Sequence, residues 1–492
     1  MDRVGEPCQR SDREIRTSMK SLFVKQFVDE GLGNSSYLIA SEGTGIAAVI
    51  DPQRDVDKYI QVAEGLGLKL TYALDTHLHA DFVSGVHELA HHLALQHDHP
   101  QFQIGESAAA EAEFKHLALR EGDKLSLGNL SIGVLATPGH TPEHVSFGIF
   151  DEKDETPQTL FTGGSLIVGG TGRPDLLGHE HALPLAHELY NTIHNKFAPL
   201  PDDVVVYPTH GAGSFCNTTA SGARFTTIGQ ERLSNPFLQI SEEDEFVNRA
   251  LTGLSTYPTY YRHMRAVNKK GGRILGGVPV LEPLSPKDVQ DQIKTGAVVL
   301  DIRETHRFLD GHIEDSYGIP LVTPLITWAG WVIPFGTPVI LIAETSAERQ
   351  EATRQLIRIG YDDLRGFLEG GVKAWRESGL PLVSTKSVNA EQLKEWMTQK
   401  DAPIILDVRF NKEWHSGHIR GARHVEAGAL GEVAHSFLQE DRPVVVHCQR
   451  GNRSTVAISI LEQKKFKNLY ALESGVQSWI QAGYEVVPNG NQ

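Results

Sequence analysis

An internal repeat in the second half of the chain constrains its fold more than any other feature. Asp301-Ile-Arg-Glu-Thr-His-Arg-Phe-Leu-Asp-Gly311-His312-Ile313 aligns without gaps on Asp407-Val-Arg-Phe-Asn-Lys-Glu-Trp-His-Ser-Gly417-His418-Ile419, an offset of 106 residues from Asp301 to Asp407. Two further segments keep nearly that spacing. Pro338-Val-Ile-Leu matches Pro443-Val-Val-Val, and Gly371-Val372 with Trp375 matches Gly475-Val476 with Trp479. Self-similarity at a fixed period marks a duplicated structural unit. Each copy runs strand, loop, helix, strand, helix, the pattern of a small α/β domain with a parallel sheet. The copies are placed at 281–385 and 386–492.

The chain has 492 residues, too many for one ordinary core, so a further domain is expected ahead of the repeat. Residues 21–245 alternate short β-rich runs such as Ser36–Ile50 with helical ones such as Val56–Leu66. Residues 246–280 read as a helix, within the acidic Ser241–Leu254, followed by the basic, Gly-containing linker Arg262–Gly277. Residues 1–20 mix acidic and basic side chains without an apolar core and read as a disordered tail with no secretory signal; Met19 offers an alternative start. Between Tyr317 and Ala343 the chain is strongly apolar, but Pro320, Pro324, Pro334 and Pro338 interrupt it. A membrane helix needs about 20 unbroken apolar residues, so no membrane association is expected.

A formal net charge of −16 with no basic block argues against nucleic acid as a partner. Three cysteines cannot form a disulfide framework, which points to a reducing, cytoplasmic setting. Nothing in the sequence fixes the oligomeric state, and a homo-oligomer is compatible with it.

Three histidine segments each follow an apolar run: Asp75-Thr-His77-Leu-His79-Ala-Asp81-Phe82, Thr137-Pro-Gly-His140-Thr-Pro-Glu-His144 and Tyr207-Pro-Thr-His210-Gly211. Loops that leave strands are where α/β folds concentrate chemistry. Histidines two apart, with a carboxylate two further on, can aim several ligands into one space.

The HxHxD segment and the two Pro-x-His turns resemble the metallo-β-lactamase superfamily. Gly172-Arg173-Pro174-Asp175 and Thr226-Thr-Ile-Gly-Gln-Glu231 are similar, more narrowly, to its persulfide dioxygenase branch. The resemblance implies an αββα sandwich over 21–245. It also implies one non-haem iron held by His77, His140 and an aspartate, acting on a thiol persulfide with O2 to give sulfite. In Phe161-Thr-Gly-Gly164-Ser-Leu166, however, Gly164 stands where the family has the aspartate. Phe82 stands where two-metal hydrolases of the superfamily have a further histidine. A metal here must therefore rely on imidazoles, and His77, His79 and His140 are expected as its ligands. Fe(II) is the expected metal, with Zn(II) as the alternative. Asp81 and His210 are expected to orient those ligands, with His144 near the site in an undetermined role. On this reading Gly164→Asp should tighten metal binding.

The second copy carries Pro443-Val-Val-Val-His-Cys448-Gln-Arg450-Gly451-Asn-Arg453-Ser454, an apolar strand running into a helix with a cysteine at the junction. Backbone N–H groups of such a loop, the helix N-terminus and Arg450 and Arg453 all favour a thiolate nucleophile at Cys448. With Asp407-Val-Arg409, Gly417-His418-Ile419 and Gly475-Val476…Trp479, this copy resembles a rhodanese domain, which implies sulfane sulfur carried as a cysteine persulfide. In the first copy the strand match carries Cys448 to Ala343, Gly451 to Ser346 and Arg453 to Glu348. That copy is expected to be a degenerate rhodanese domain without a nucleophile. Cys216, just past His210, is either a thiol lining the metal pocket or a small buried hydrophobe, and Cys8 is incidental.

The expected architecture is α/β: a metallo-β-lactamase αββα sandwich followed by two rhodanese-like α/β domains. The expected activity is oxidation of a low-molecular-weight thiol persulfide such as glutathione persulfide to sulfite. Sulfite then takes up sulfur from Cys448 to give thiosulfate. The alternatives are a sulfurtransferase with an inactive metal domain and a persulfide-binding or sensing module, with a two-metal thioester hydrolase last.

Overall fold

A computed structural model describes residues 14–16, 21–95, 101–151, 154–218, 222–438 and 442–488. Cys8 and most of the expected tail lie outside them. Within that tail Glu14–Arg16 forms a strand pairing antiparallel with Leu22–Asp29. The chain divides into two compact units: Met1–Val278 with Ile357–Gly360, and the remainder from Pro279 onward.

The first unit is built on two sheets. One runs, strand by strand in chain order, from Glu14–Arg16 through Leu22–Asp29, Asn34–Ser41, Ile46–Ile50, Lys69–Leu74 and Gln103–Ser107 to Leu117–Leu119. The other is ordered Thr226–Thr227, Val205–Pro208, Thr159–Gly163, Val145–Asp151, Leu130–Ala136, Lys124–Leu127. Strand periodicity explains the layering. In Asn34–Ser41 all eight side chains are buried. Tyr37 and Ile39 face Val134, Phe147 and Phe161 of the other sheet, while Leu38 and Ala40 pack against Tyr59, Ile60 and Leu89 of the outer helices. Leu160 and Val206 do the same on the far side, against Leu189 and Phe246. Alternate residues thus enter alternate layers, which produces the αββα sandwich.

The basic segment after residue 260 is not a linker. Tyr261–Lys270 is a helix whose buried residues are Tyr261, Met264 and Asn268, and it packs into the first unit.

The second unit contains two five-stranded parallel sheets of the same topology. Their orders are Pro283–Leu284, Leu364–Leu368, Val339–Ile342, Val298–Asp301, Tyr317–Gly318 and Lys386–Val388, Leu469–Leu472, Val444–His447, Ile404–Asp407, Arg423–His424. The repeated motif residues are structural. Arg303 forks onto Asp301 and donates to Gly311 O at 2.8 Å, and Arg409 repeats this with Asp407 and Gly417 O at 2.8 Å. His312 stacks on Phe308 at 3.8 Å and His418 on Trp414 at 3.5 Å. A bidentate buried fork is strong and directional, so each copy locks the turn after its central strand in the same way. Among the described residues no helix is long and apolar enough to cross a membrane; Tyr317–Ala343 is strand, helix Leu325–Val332 and strand.

Candidate active sites: an imidazole pocket and a cradled thiol

Five strands of the sandwich release chain at one edge, bringing together Asp51, the 75–82 loop, His140, Gly164 and His210. Val145 N donates to Thr76 O at 2.8 Å, Thr209 N to Gly163 O at 2.9 Å and Ser35 N to Thr209 O at 2.7 Å, stitching these loops to one another. His77, His79, His140, His144 and His210 are all buried.

Two groupings of metal-ligating type share His210. Ligand atoms of His77, His140 and His210 lie within 4.8 Å of one another, and so do those of His79, Asp81 and His210. The Nδ1 partners decide what the first group can do. Thr76 Oγ1 donates its single proton to Asp51 Oδ2 at 2.9 Å, so at 2.9 Å it can only accept from His77 Nδ1. Asn34 turns its amide N–H onto Asp81 at 2.6 Å, leaving its oxygen to accept from His210 Nδ1 at 3.0 Å. His140 Nδ1 donates to Arg173 O at 2.9 Å. In all three rings the proton sits on Nδ1 and the lone pair on Nε2. His77 Nε2 and His210 Nε2 face each other at 3.3 Å, and His140 Nε2 is buried with no partner. Three converging, dehydrated lone pairs fit a cation, the arrangement that outer acceptors impose on metal-bound imidazole. Burial above all, and then neighbouring imidazoles, hold His77 well below the usual histidine value; His140 and His210 fall to about 3. These rings are neutral and could serve as ligands.

The expected set of His77, His79 and His140 differs from this geometry in one member. His79 directs Nε2 to Asp51 Oδ1 at 3.2 Å and stacks on Phe82 at 4.1 Å. Burial pulls its pKa down, but Asp51, with Asp75 and Asp81, outweighs that and holds it above the usual value. A ring that donates to a carboxylate through Nε2 has no lone pair there, and the nitrogen that keeps one, Nδ1, is buried without a hydrogen-bond partner. His210, expected to lie behind the ligands, supplies the third Nε2 instead. Asp81 accepts from Asn34 and lies 3.5 Å from His210 Nδ1, so it braces that ring. His144 accepts from Gly164 N at 3.0 Å through Nε2 and contacts Thr137 Oγ1 at 2.9 Å through Nδ1. Both its nitrogens are used in fixing loops.

Gly164 is more than a lost ligand. A Cβ there would sit 2.3 Å from His140 Cδ2, so the His140 ring fills the space an aspartate side chain would need. On this geometry Gly164→Asp would have to displace His140, which works against the expected gain. Phe82, 1% exposed, is an apolar ring packed on His79. Cys216 is fully buried, 3.9 Å from Tyr261 OH, and burial pushes its thiol well up. It is a packed small residue in this structure.

Several residues were not singled out from sequence. Asp51, at φ 50, accepts from Thr76 N at 2.7 Å and anchors His79; its signal was an aspartate ending the apolar run before Pro52. Asn268 donates to His79 O at 2.8 Å and Phe82 O at 2.9 Å and accepts from Ser84 N at 2.9 Å. Tyr260 donates to Asp81 O at 2.5 Å. Glu143 accepts from Leu78 N at 3.1 Å and pairs with Arg265 at 2.7 Å. Behind the loop, burial lifts Asp75 to about 6 and Glu106 well above the carboxylate range.

Cys448 directly follows strand Val444–His447 and is 2% exposed. Gly451 N donates to its Sγ at 3.1 Å, from a backbone at φ 104 that glycine adopts freely. Helix Asn452–Gln463 begins immediately after. Arg453 is bidentate on Glu413 at 2.6 and 2.7 Å and lies over Phe410, so its charge is partly spent on a carboxylate. Arg450 is exposed. The first copy differs in two ways. Its loop Ala343–Thr345, between strand and helix, is one residue shorter than Cys448–Gly451. Its N–H groups are also occupied, because Glu344 N and Thr345 N both donate to Glu348 Oε2 at 2.9 Å.

A buried imidazole pocket at one edge of an αββα sandwich, joined in one chain to a cradled thiol on a duplicated parallel α/β unit, defines a chain with a metal-type pocket and a separate thiol site. Comparison with known proteins agrees. Residues 29–210 match the metallo-beta-lactamase superfamily model, and 285–378 and 389–482 each match the rhodanese-like domain. The chain belongs to the metallo-β-lactamase superfamily, in a fusion with two rhodanese-like domains. It is 32% identical over 210 residues to mitochondrial persulfide dioxygenase ETHE1 of Mus musculus, spanning 42% of this chain and 73% of that protein. It is 32% identical over 207 residues to hydroxyacylglutathione hydrolase GloC of Haemophilus influenzae, spanning 39% and 87%. A crystal structure of a metallo-beta-lactamase from Staphylococcus aureus superposes with a TM-score of 0.62 at 31% identity, covering 71% of this chain and 99% of that one.

Proposed function

We propose that the chain is a persulfide dioxygenase and sulfurtransferase acting in the cytoplasm on low-molecular-weight thiol persulfides such as glutathione persulfide. The observation that carries this reading is the three-imidazole pocket of His77, His140 and His210, beside which Gly164 and Phe82 stand where two-metal hydrolases have a carboxylate and a further histidine. His77, His140 and His210 would hold one Fe(II), with Zn(II) the alternative ion. Iron, when bound, supplies the redox exchange with O2 that imidazoles alone do not. The overall change is R–S–SH + O2 + H2O → R–SH + SO3²⁻ + 2H⁺. Asp81 and Asn34 fix His210, Arg173 O fixes His140, and Phe82 keeps the neighbouring position dry.

Cys448 would carry sulfane sulfur as a persulfide. Sulfite attacks its outer sulfur, the Cys448 S–S bond breaks, and thiosulfate leaves with the thiol restored. Linking the two sites in one chain raises the effective concentration of the intermediate. Similarity to a hydroxyacylglutathione hydrolase raises a thioester-cleaving alternative, but bimetallic hydrolysis needs a bridging carboxylate, and Gly164 and Phe82 stand at the two critical positions. A second reading, sulfur transfer with a metal domain that does not turn over, draws on that same missing carboxylate.

The test supplies persulfide and O2 to wild type and to Cys448→Ser. The variant should still form sulfite while thiosulfate falls about a thousandfold or more, the scale of losing a nucleophile. Undiminished thiosulfate from the variant would overturn the role of Cys448.

A further inference from the structure

The first rhodanese-like copy has lost its nucleophile, yet it forms one wall of the cleft beside the other copy's sulfur loop. A cavity of about 590 Å³ is bounded on one side by Glu304, His306 and Asp310 of the first copy, and on the other by Arg450, Gly451 and Glu473 of the second. That volume lies in the range of small-molecule sites. The two copies are held in register at this point. Thr305 Oγ1 lies 3.0 Å from Thr455 Oγ1, His312 Nε2 lies 2.8 Å from Glu462 Oε2, and Thr385 Oγ1 donates to Glu462 Oε1 at 2.8 Å. Thr455 and Glu462 both belong to helix Asn452–Gln463, which leaves the Cys448 loop. The wall is therefore fixed relative to the reacting sulfur.

Its charge is unusual for a site that serves anions. Three carboxylates, Glu304, Asp310 and Glu473, face one guanidinium, Arg450, with His306 Nδ1 3.3 Å from Glu304 Oε2. Asp310, Glu473 and Arg450 have no ion-pair partner among the described residues. Such a cleft attracts a molecule bearing an ammonium group together with a carboxylate.

We propose that this cleft is the thiol-carrier subsite of Cys448. Glu304 and Asp310 would take the ammonium group, and Arg450 the carboxylate, of an amino-acid or peptide thiol, making the first copy the specificity wall of the second. The proposal rests on the reading of Cys448 as the sulfur carrier. In the step concerned, the carrier's thiolate attacks the outer sulfur of the Cys448 persulfide, a new S–S bond forms to that sulfur, and the Cys448 S–S bond breaks to leave the Cys448 thiolate. The proton stays on the transferred sulfur. In the reverse direction the carrier's persulfide loads Cys448.

The full chain, loaded with sulfane sulfur from inorganic polysulfide and desalted, is mixed with cysteamine, N-acetylcysteamine or mercaptopropionate, and the second-order rate of transfer is read for each. The ratio of cysteamine to N-acetylcysteamine rates should fall about fivefold in Glu304→Gln/Asp310→Asn relative to wild type, the contribution of two solvent-screened ion pairs. The drop should disappear at high salt, a response that a merely structural role would not give. The mercaptopropionate rate should rise in the same variant. A ratio equal in wild type and variant overturns the subsite while leaving Cys448 as carrier. Absence of transfer to all three thiols overturns the carrier reading and the subsite with it.

Discussion

Cys448 and Ala343 occupy matching strand ends, but the N–H groups beyond them serve different acceptors. In the second copy Gly451 N–H donates to the Cys448 sulfur; in the first, Glu348 fills the cradle. Ala343→Cys alone should therefore give no sulfur transfer to cyanide, because a thiolate there would meet a carboxylate already holding the donors. Measurable turnover from the single change, assayed in a Cys448→Ser background, would refute that account. The loss of the thiol was legible in sequence. The Glu348 cradle was not, because it depends on the shorter loop.

Among the histidines, the cluster was readable from spacing after strands, but the choice of ligand was not. It is set by Nδ1 partners far away in sequence, Asn34 for His210 and Arg173 for His140. His210→Ala should weaken metal binding more than about a hundredfold, beyond the cost of losing an outer-shell partner, and His77→Ala and His140→Ala should do the same. His79→Ala should retain metal, and Gly164→Asp should lower metal content because its Cβ meets the His140 ring. Metal analysis after dialysis checks all five variants. Metal kept in His210→Ala but lost in His79→Ala would restore the other ligand set.

At the scale of elements, the strands and the repeat were legible because hydrophobic alternation and duplicated motifs are local signals. Helix Tyr261–Lys270 was read as a linker for a physical reason. Its inward positions are Tyr261, Met264 and Asn268 and its last turn is basic, so its low overall hydrophobicity masked a short amphipathic face. The buried amide of Asn268 ties His79 O, Phe82 O and Ser84 N to that helix. Asn268→Ala leaves those backbone groups without partners and should cost about 2–4 kcal/mol of stability. Urea denaturation would show a lower midpoint with an unchanged slope, and metal content should fall in parallel. An unchanged midpoint would mean that the helix does not brace the histidine loop.

For the whole molecule, the arrangement of a metal-type domain and a duplicated thiol domain follows from features that sequence displays openly: three strand-end histidine turns and an offset repeat. What the metal does is less visible, since it depends on a carboxylate replaced by Gly164 and on lone pairs that only the folded pocket brings together. The proposed activity requires that pocket to bind iron and react. The most direct measurement is metal content of the full chain purified anaerobically, followed by O2 consumption on adding glutathione persulfide. About one iron per chain is expected from the single imidazole group, with persulfide-dependent uptake that His77→Ala abolishes. Iron-replete protein that holds no metal, or holds it and consumes no O2, would contradict the account and leave Cys448 as the chain's sole catalyst.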